Sequence, residues 1–145
     1  VRLRVCAIGR PRLAYARAGI EEYQRRLARY STLEVLYLKE GPKEQEGARL
    51  LKASEGYRRV VLDERGELLD TLGFRARLEA WAAGGVRGVA FLLGGAEGHA
   101  EGVRRAADCL LALSRLTLQH ELALLVLLEQ LYRVETLRRG EPYHR

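Results

Sequence analysis

The stretch FLLGGAEG, Phe91 to Gly98, decides the reading of the fold: three large apolar residues run directly into three glycines and one acid. A strand that only had to turn a corner would need one glycine. Three let the backbone take positive φ repeatedly or approach another object closely. The apolar run before them suits a strand buried on both faces, the kind found inside a parallel sheet.

Outward from this point, strands and helices alternate along the chain. LRVCAIG (Leu3–Gly9) is a short apolar run closed by glycine, and within Leu13–Tyr30 the residues Ala16, Ile20, Tyr23, Leu27 and Tyr30 form a helical stripe. LEVLYL (Leu33–Leu38) predicts a second strand. The polar connection KEGPKEQEG leads to a helix through Leu50, Leu51 and about Tyr57, and RRVVLDERG predicts a third strand ending near Asp63. An amphipathic helix through Phe74, Leu78 and Trp81 precedes the glycine-terminated strand, a short helix covers Val103 to Ala107, and CLLALSRLTL predicts a fifth apolar element. The pattern predicts an α/β fold, a mostly parallel sheet with helices on both faces. Ligands in such sheets bind beyond the carboxyl ends of strands. That rule puts the three glycines, the Leu62–Asp63 strand end and the segment after Leu113 on one rim, provided their strands are neighbours.

The final helix, ELALLVLLEQLYRVETLRRG, is apolar all round from Leu122 to Leu128. A surface helix of a monomer shows one apolar stripe, so this one is either central or buried between subunits. In so short a chain the subunit interface is the expectation, and with it a homodimer.

With 145 residues, 48% of them hydrophobic, the chain is expected to form one domain over 1–145 with a real core. No apolar stretch approaches the roughly 18 residues of a membrane helix, and VRLRVCAIGRPR lacks the pattern of a signal peptide, so a cytosolic protein is expected. Cys6 and Cys109 sit in apolar surroundings without CxxC spacing and read as buried free thiols. The net charge of +6 comes mostly from arginine, clustered at Arg10/Arg12, Arg25/Arg26/Arg29, Arg58/Arg59, Arg104/Arg105 and Arg138/Arg139. Guanidinium forks suit phosphates, so a polyanion such as nucleic acid is one reading and an arginine-rich solvated surface the other.

Several chemistries are absent. Gly94 to His99 offer no lysine or hydroxyl for a phosphate loop, and no GxGxxG follows the first strand. Ser31, Ser54 and Ser114 lack a nucleophile-elbow setting, while His99, His120 and His144 are too scattered for a triad or metal site. A glycine-lined cleft of largely apolar backbone remains. It suits a cofactor with an adenine ring better than a triphosphate.

LLGGAEG, LSRLTLQH, LLEQLYR and the terminal GEPYHR, in that order and spacing, together with KEQEGARLL and VVLDERG, resemble the RlmH family of SPOUT-class methyltransferases over essentially the whole chain. The resemblance implies a trefoil-knotted α/β fold in which LSRLTL threads beneath the glycine loop. It implies S-adenosylmethionine as cofactor, held by main-chain groups at Leu62, at Gly94 and Gly95, and at Leu113, Ser114, Arg115, Leu116, Thr117 and Leu118. It implies methylation of 23S ribosomal RNA at N3 of a pseudouridine in the subunit-interface hairpin, on assembled ribosomes. No metal or membrane is implied. Tyr143, His144 and Arg145 become the catalytic candidates, combining a hydroxyl, a titrating ring and a phosphate fork. Three positions depart from the family pattern: Ala96 where GGPEG is common, Gln119 where Pro-His is usual, and Leu124 in place of an arginine, whose anion contact would fall to Arg115 or Arg133. The alternative is a noncatalytic basic α/β protein that binds ribosomal RNA, and a nucleotide hydrolase is disfavoured by the missing lysine.

Overall fold

The computed structural model describes residues 2–30 and 32–145; Val1 and Ser31, the latter set aside above as a nucleophile, lie outside the described residues. Ten elements alternate as expected: β1 (Arg2–Ile8), α1 (Ala14–Leu27), β2 (Thr32–Leu38), α2 (Lys43–Ala53), β3 (Arg58–Leu68), α3 (Thr71–Ala82), β4 (Val89–Leu93), α4 (Glu101–Arg105), β5 (Cys109–Ala112) and α5 (His120–Arg138). The strands form one sheet in the order β2-β1-β4-β3-β5, with every described pairing parallel. β4, β3 and β5 are therefore neighbours, and their carboxyl ends do share a rim.

Successive strand residues point to opposite faces, and the two sets meet different helices. Leu3, Val5 and Ala7 of β1, with Val89, Phe91 and Leu93 of β4, pack against α1, α3 and α5. Cys6, Ile8, Ala90 and Leu92 face Leu50 of α2 and Val103 of α4. All five residues of β4 are buried, which explains why its sequence shows no polar alternation. Phe91 is the hub of the first face, its ring 6.1 Å from that of Phe74 and 6.4 Å from that of Trp81 in edge-on arrangements. α3 enters through Asp70, whose Oδ1 accepts from the Gly73 N–H at 2.7 Å; losing such a cap costs about 1 kcal/mol.

Four sequence expectations shift. α2 stops at Ala53, and Tyr57 is instead a buried residue at the entrance to β3, beneath the guanidinium of Arg4. α4 lies two residues earlier than expected. β3 does not end at Asp63: its pairing with β5 jumps from Leu62 to Glu67, so Asp63–Gly66 bulge out and the strand resumes to Leu68. Gly66 permits the return, because a Cβ there would lie 2.5 Å from the Leu110 carbonyl carbon. Finally, β5 covers only Cys109–Ala112, and the following seven residues are irregular.

α5 owes much of its apolar circumference to its place between α1 and α3 in the same chain. Leu124, Leu127, Leu128, Leu131 and Val134 are buried there, while Leu122, Leu125 and Val126 remain half-buried. Cys6 and Cys109 are free and buried, and burial pushes the Cys6 thiol up to about 12. Among the described residues, no helix is long and apolar enough to cross a membrane.

Candidate active site

Beyond β4 the chain makes a tight turn. The Gly98 N–H donates to the Gly95 carbonyl at 3.0 Å, and Gly98 sits at φ 80°, where glycine is favoured. A Cβ on Gly94 would stand 2.9 Å from the Gly98 carbonyl carbon and oxygen, so Gly94 is required by the turn's own return. Gly95 differs: the nearest atoms to its absent side chain are Oε1 of Glu46 at 3.3 Å and Cγ2 of Ile8 at 3.5 Å.

The bulge of β3 forms the facing wall. Asp63 accepts from the Arg65 N–H at 2.9 Å and from Arg104 Nε at 2.7 Å, with its side chain only 5% exposed. Burial by itself would raise this carboxyl, but those two donors prevail and hold it below its usual range. The third wall is the segment after β5. The Ser114 hydroxyl accepts from the Leu116 N–H at 2.9 Å, Arg115 donates to the Glu64 carbonyl at 3.1 Å, and Thr117 donates to the Glu64 carboxylate at 2.6 Å. Gln119 closes the segment by capping α5, its Oε1 accepting from the N–H groups of Glu121 and Leu122.

These walls enclose a cleft of about 590 Å³ lined by, among others, Leu62, Gly95, His99, Thr117 and Leu118. A smaller recess beneath it adds Leu93 and Gly94. The structure thus brings Leu62, Gly94, Gly95, Thr117 and Leu118 together. Leu113 instead lines a separate hollow against α3 and α5, Leu116 projects into solvent, and Ser114 and Arg115 brace the wall from outside. Leu124 is buried in the core, so its position cannot offer a charge to the cleft. Of the two suggested substitutes, Arg115 stands at the rim, while Arg133 is paired with Glu129 far along α5.

His99 is a site residue that sequence reasoning missed. Its side chain is buried beneath the glycine turn, with both nitrogens shut off from solvent and turned toward the carbonyls of Leu62 and Leu92. With both nitrogens closed off from the cleft, the imidazole packs the glycine turn against the ends of β3 and β4 and does not present a hydrogen bond to a ligand. The only sequence signal was its place directly after the glycine turn. Burial lowers the basicity of His99, and the Asp63 carboxylate offsets this in part. Its folded-state pKa lies below its unfolded value of about 6.5. Acidification through about that pH therefore favours the unfolded chain, which binds the proton more readily. Thermal melting should show stability falling as pH drops below about 6.5, and H99L should flatten that slope.

Tyr143, His144 and Arg145 lie elsewhere. The Tyr143 hydroxyl donates to Glu129 at 2.8 Å and meets the Tyr23 hydroxyl at 3.0 Å, while His144 Nδ1 is 3.1 Å from Arg133 Nη1. The Tyr143 ring packs edge-on to Tyr132 at 4.7 Å, with Arg133 over its face. The tail folds back, so this cluster sits along the middle of α5 against Glu129, Tyr132 and Arg133, whereas His120 at the helix's first turn lines the cleft. At 1.5 Å per residue the helix separates the two by about 14–20 Å. Among the described residues, no group of three or more His, Cys, Asp or Glu side chains is arranged to hold a metal ion.

Residues 1–144 match the family model described as "Predicted SPOUT methyltransferase". Over its whole length the chain is 62% identical to a ribosomal RNA large subunit methyltransferase H of Thermus thermophilus, covering 99% of that protein. It is 43% identical to the protein of the same name from Deinococcus deserti, with all of both chains covered. Among solved structures, the tRNA (m1G37) methyltransferase of Aquifex aeolicus superposes with a TM-score of 0.59 at 14% identity, covering 100% of this chain and 75% of that one. TrmJ from Z. mobilis ZM4 gives 0.55 at 14% identity, covering 100% and 73% respectively. These two likenesses bear on the fold alone. A parallel sheet with a glycine turn and a facing bulge at its carboxyl rim, in a sequence matched almost end to end, makes this chain a member of the SPOUT methyltransferase family.

Proposed function

We propose that this methyltransferase is one domain over 1–145 that uses S-adenosylmethionine to methylate 23S ribosomal RNA of the large subunit at N3 of a pseudouridine in the subunit-interface hairpin, acting in the cytoplasm on assembled ribosomes. The observation that carries the reading is the cleft behind the glycine turn, where main chain and not side chains lines the approach, in a chain closely similar over its full length to proteins named for large-subunit ribosomal RNA. The main-chain groups of Leu62, Gly94, Gly95, Thr117 and Leu118 hold the cofactor, Leu113–Leu116 position the segment that carries the last two, and the threading of that segment beneath the turn belongs to the same proposal. When bound, the cofactor supplies an activated methyl group on a sulfonium. The chain's own part is to bind, orient and exclude water.

The tail acts on the RNA side. Because about 14–20 Å of helix separates the folded-back tail from its own cleft, Tyr143, His144 and Arg145 serve the cleft of a second copy, which makes the homodimer part of the function. Apolar residues left on the three-helix layer support such a dimer: Tyr15 and Leu72 are exposed, and Leu122 and Val126 half-buried. Sedimentation at micromolar concentration should give twice the 16.4 kDa chain mass; a monomer would remove the tail from catalysis.

Isothermal titration tests the cofactor. S-adenosylhomocysteine should bind and ATP should not. Ribosome binding with no affinity for S-adenosylhomocysteine would favour the noncatalytic reading.

A further inference from the structure

The glycine turn has a second side. Across it from the cofactor cleft lies another of about 410 Å³, between the turn after β1 and the turn after β2, and the two share Gly95, Ala96, Glu97 and His120 as a common wall. Arg10 and Arg12 stand on one side of it, Glu40 and Glu46 on the other. The loop bearing the arginines is fixed to α5, since the N–H groups of Arg12 and Leu13 both donate to Glu121 Oε1 at 2.9 Å. Glu40 is engaged by Arg12 at 2.9 Å. Glu46 is not engaged in that way. Its Oε2 accepts from the Gly41 N–H at 3.1 Å, while Oε1 faces Gly95 and has no hydrogen-bond or ion-pair partner among the described residues. Gly95 is thus the one place in the shared wall where no side chain separates a free carboxylate oxygen from the cofactor cleft.

We propose that this second cleft receives the target pyrimidine nucleotide of the RNA, with Arg10 and Arg12 on its phosphates and Glu46 as the acceptor of its ring imino proton. The inference rests on the methyl-transfer reading above. Guanidinium forks match phosphodiester oxygens, and a half-used carboxylate matches an N–H donor. The charge balance fits as well. As the ring nitrogen's electron pair forms its bond to the methyl carbon, the carbon–sulfur pair stays on sulfur and the imino proton passes to Glu46. A sulfonium cation and a carboxylate anion become a neutral thioether and a neutral acid, so no charge is left stranded in the cleft. Proton transfer accompanies bond formation, because nitrogen becomes a far stronger acid as the bond forms.

The test uses the full chain and hypomethylated 70S ribosomes. The amide of E46Q still accepts from the Gly41 N–H, so the turn is kept while the proton acceptor is lost. Turnover should fall at least about a hundredfold, with S-adenosylhomocysteine affinity, ribosome association and melting temperature unchanged. The residual rate of E46Q should climb with pH as the imino group ionises unaided. E44Q, on the exposed side of α2, should behave as wild type. In the absence of any methyl donor, the double variant R10A/R12A should associate more weakly with ribosomes and lose about two units of slope in log affinity against log salt. Wild-type turnover by E46Q, or an unchanged salt slope in R10A/R12A, would overturn the proposal. Failure of the wild-type chain to bind S-adenosylhomocysteine would instead remove the methyl-transfer reading, while the salt slope would still report on the cleft.

Discussion

Deleting Tyr143, His144 and Arg145 is expected to lower methyl transfer to ribosomes by at least about a hundredfold, the scale of losing a positioned acid–base or orienting group. Titration with S-adenosylhomocysteine should meanwhile give an affinity close to that of the whole chain. The three residues should not contribute alike. Burial, together with hydrogen bonds to Tyr23 and Glu129, pushes the Tyr143 hydroxyl well above the usual phenol range, so it stays protonated and anchors the tail. Y143F should therefore reduce stability by about 1–3 kcal/mol, the worth of a hydrogen bond to a charged group, and affect rate mainly by loosening His144 and Arg145. His144 accepts at Nδ1 from Arg133, which leaves Nε2 available to another partner. H144A should change the rate and its pH profile, and R145A should reduce the salt dependence of ribosome association. Full activity of the truncated chain on assembled ribosomes would confine catalysis to groups around the clefts.

The second large effect is expected at Gly94. The added methyl of G94A would stand 2.9 Å from the backbone of Gly98, and backbone cannot swing aside as a side chain can. Forcing the turn open costs about 1–3 kcal/mol, which corresponds to roughly a fivefold to hundredfold loss of cofactor affinity if it is drawn from the cleft's geometry. G95A meets nothing nearer than the Glu46 carboxylate at 3.3 Å and should retain much of the affinity. G95V, bulky enough to enter the shared wall, should abolish binding with the fold largely kept. Equal affinities in G94A and G95A would show that the turn can relax, and G95V binding normally would remove this loop from the cofactor site.

The alternation of elements was legible because each strand and helix has its own period and a breaker at its end. The shared rim was legible too, since glycines after one strand and an acid after another mark carboxyl ends. The bulge at Asp63–Gly66 was not. DERG reads locally as a turn, and only the approach of Gly66 to the Leu110 backbone shows that the strand resumes. α5 misled because apolarity on every side says that a helix is covered but not by what, and here α1 and α3 supply much of the cover. His99 was passed over because a single histidine carries no pattern; its meaning lies in its burial against the ends of β3 and β4. The tail's place was not legible either, because no local pattern announces that Tyr143 folds back to Glu129 instead of continuing beyond Arg138.

α5 contains neither glycine nor proline from His120 to Arg138, so it behaves as a gauge block between the cleft and the tail cluster. One residue inserted before Glu129 would advance everything beyond it by about 1.5 Å and rotate it by roughly 100°, swinging Glu129 and Tyr143 together away from Tyr23 of α1. The connection from α3 to β4 around Gly84 and Gly85 lies at the amino end of β4, away from both clefts, and a Cβ on Gly85 would meet nothing within 4 Å. Variation in chain length compatible with activity should therefore accumulate there and leave α5 untouched to the residue.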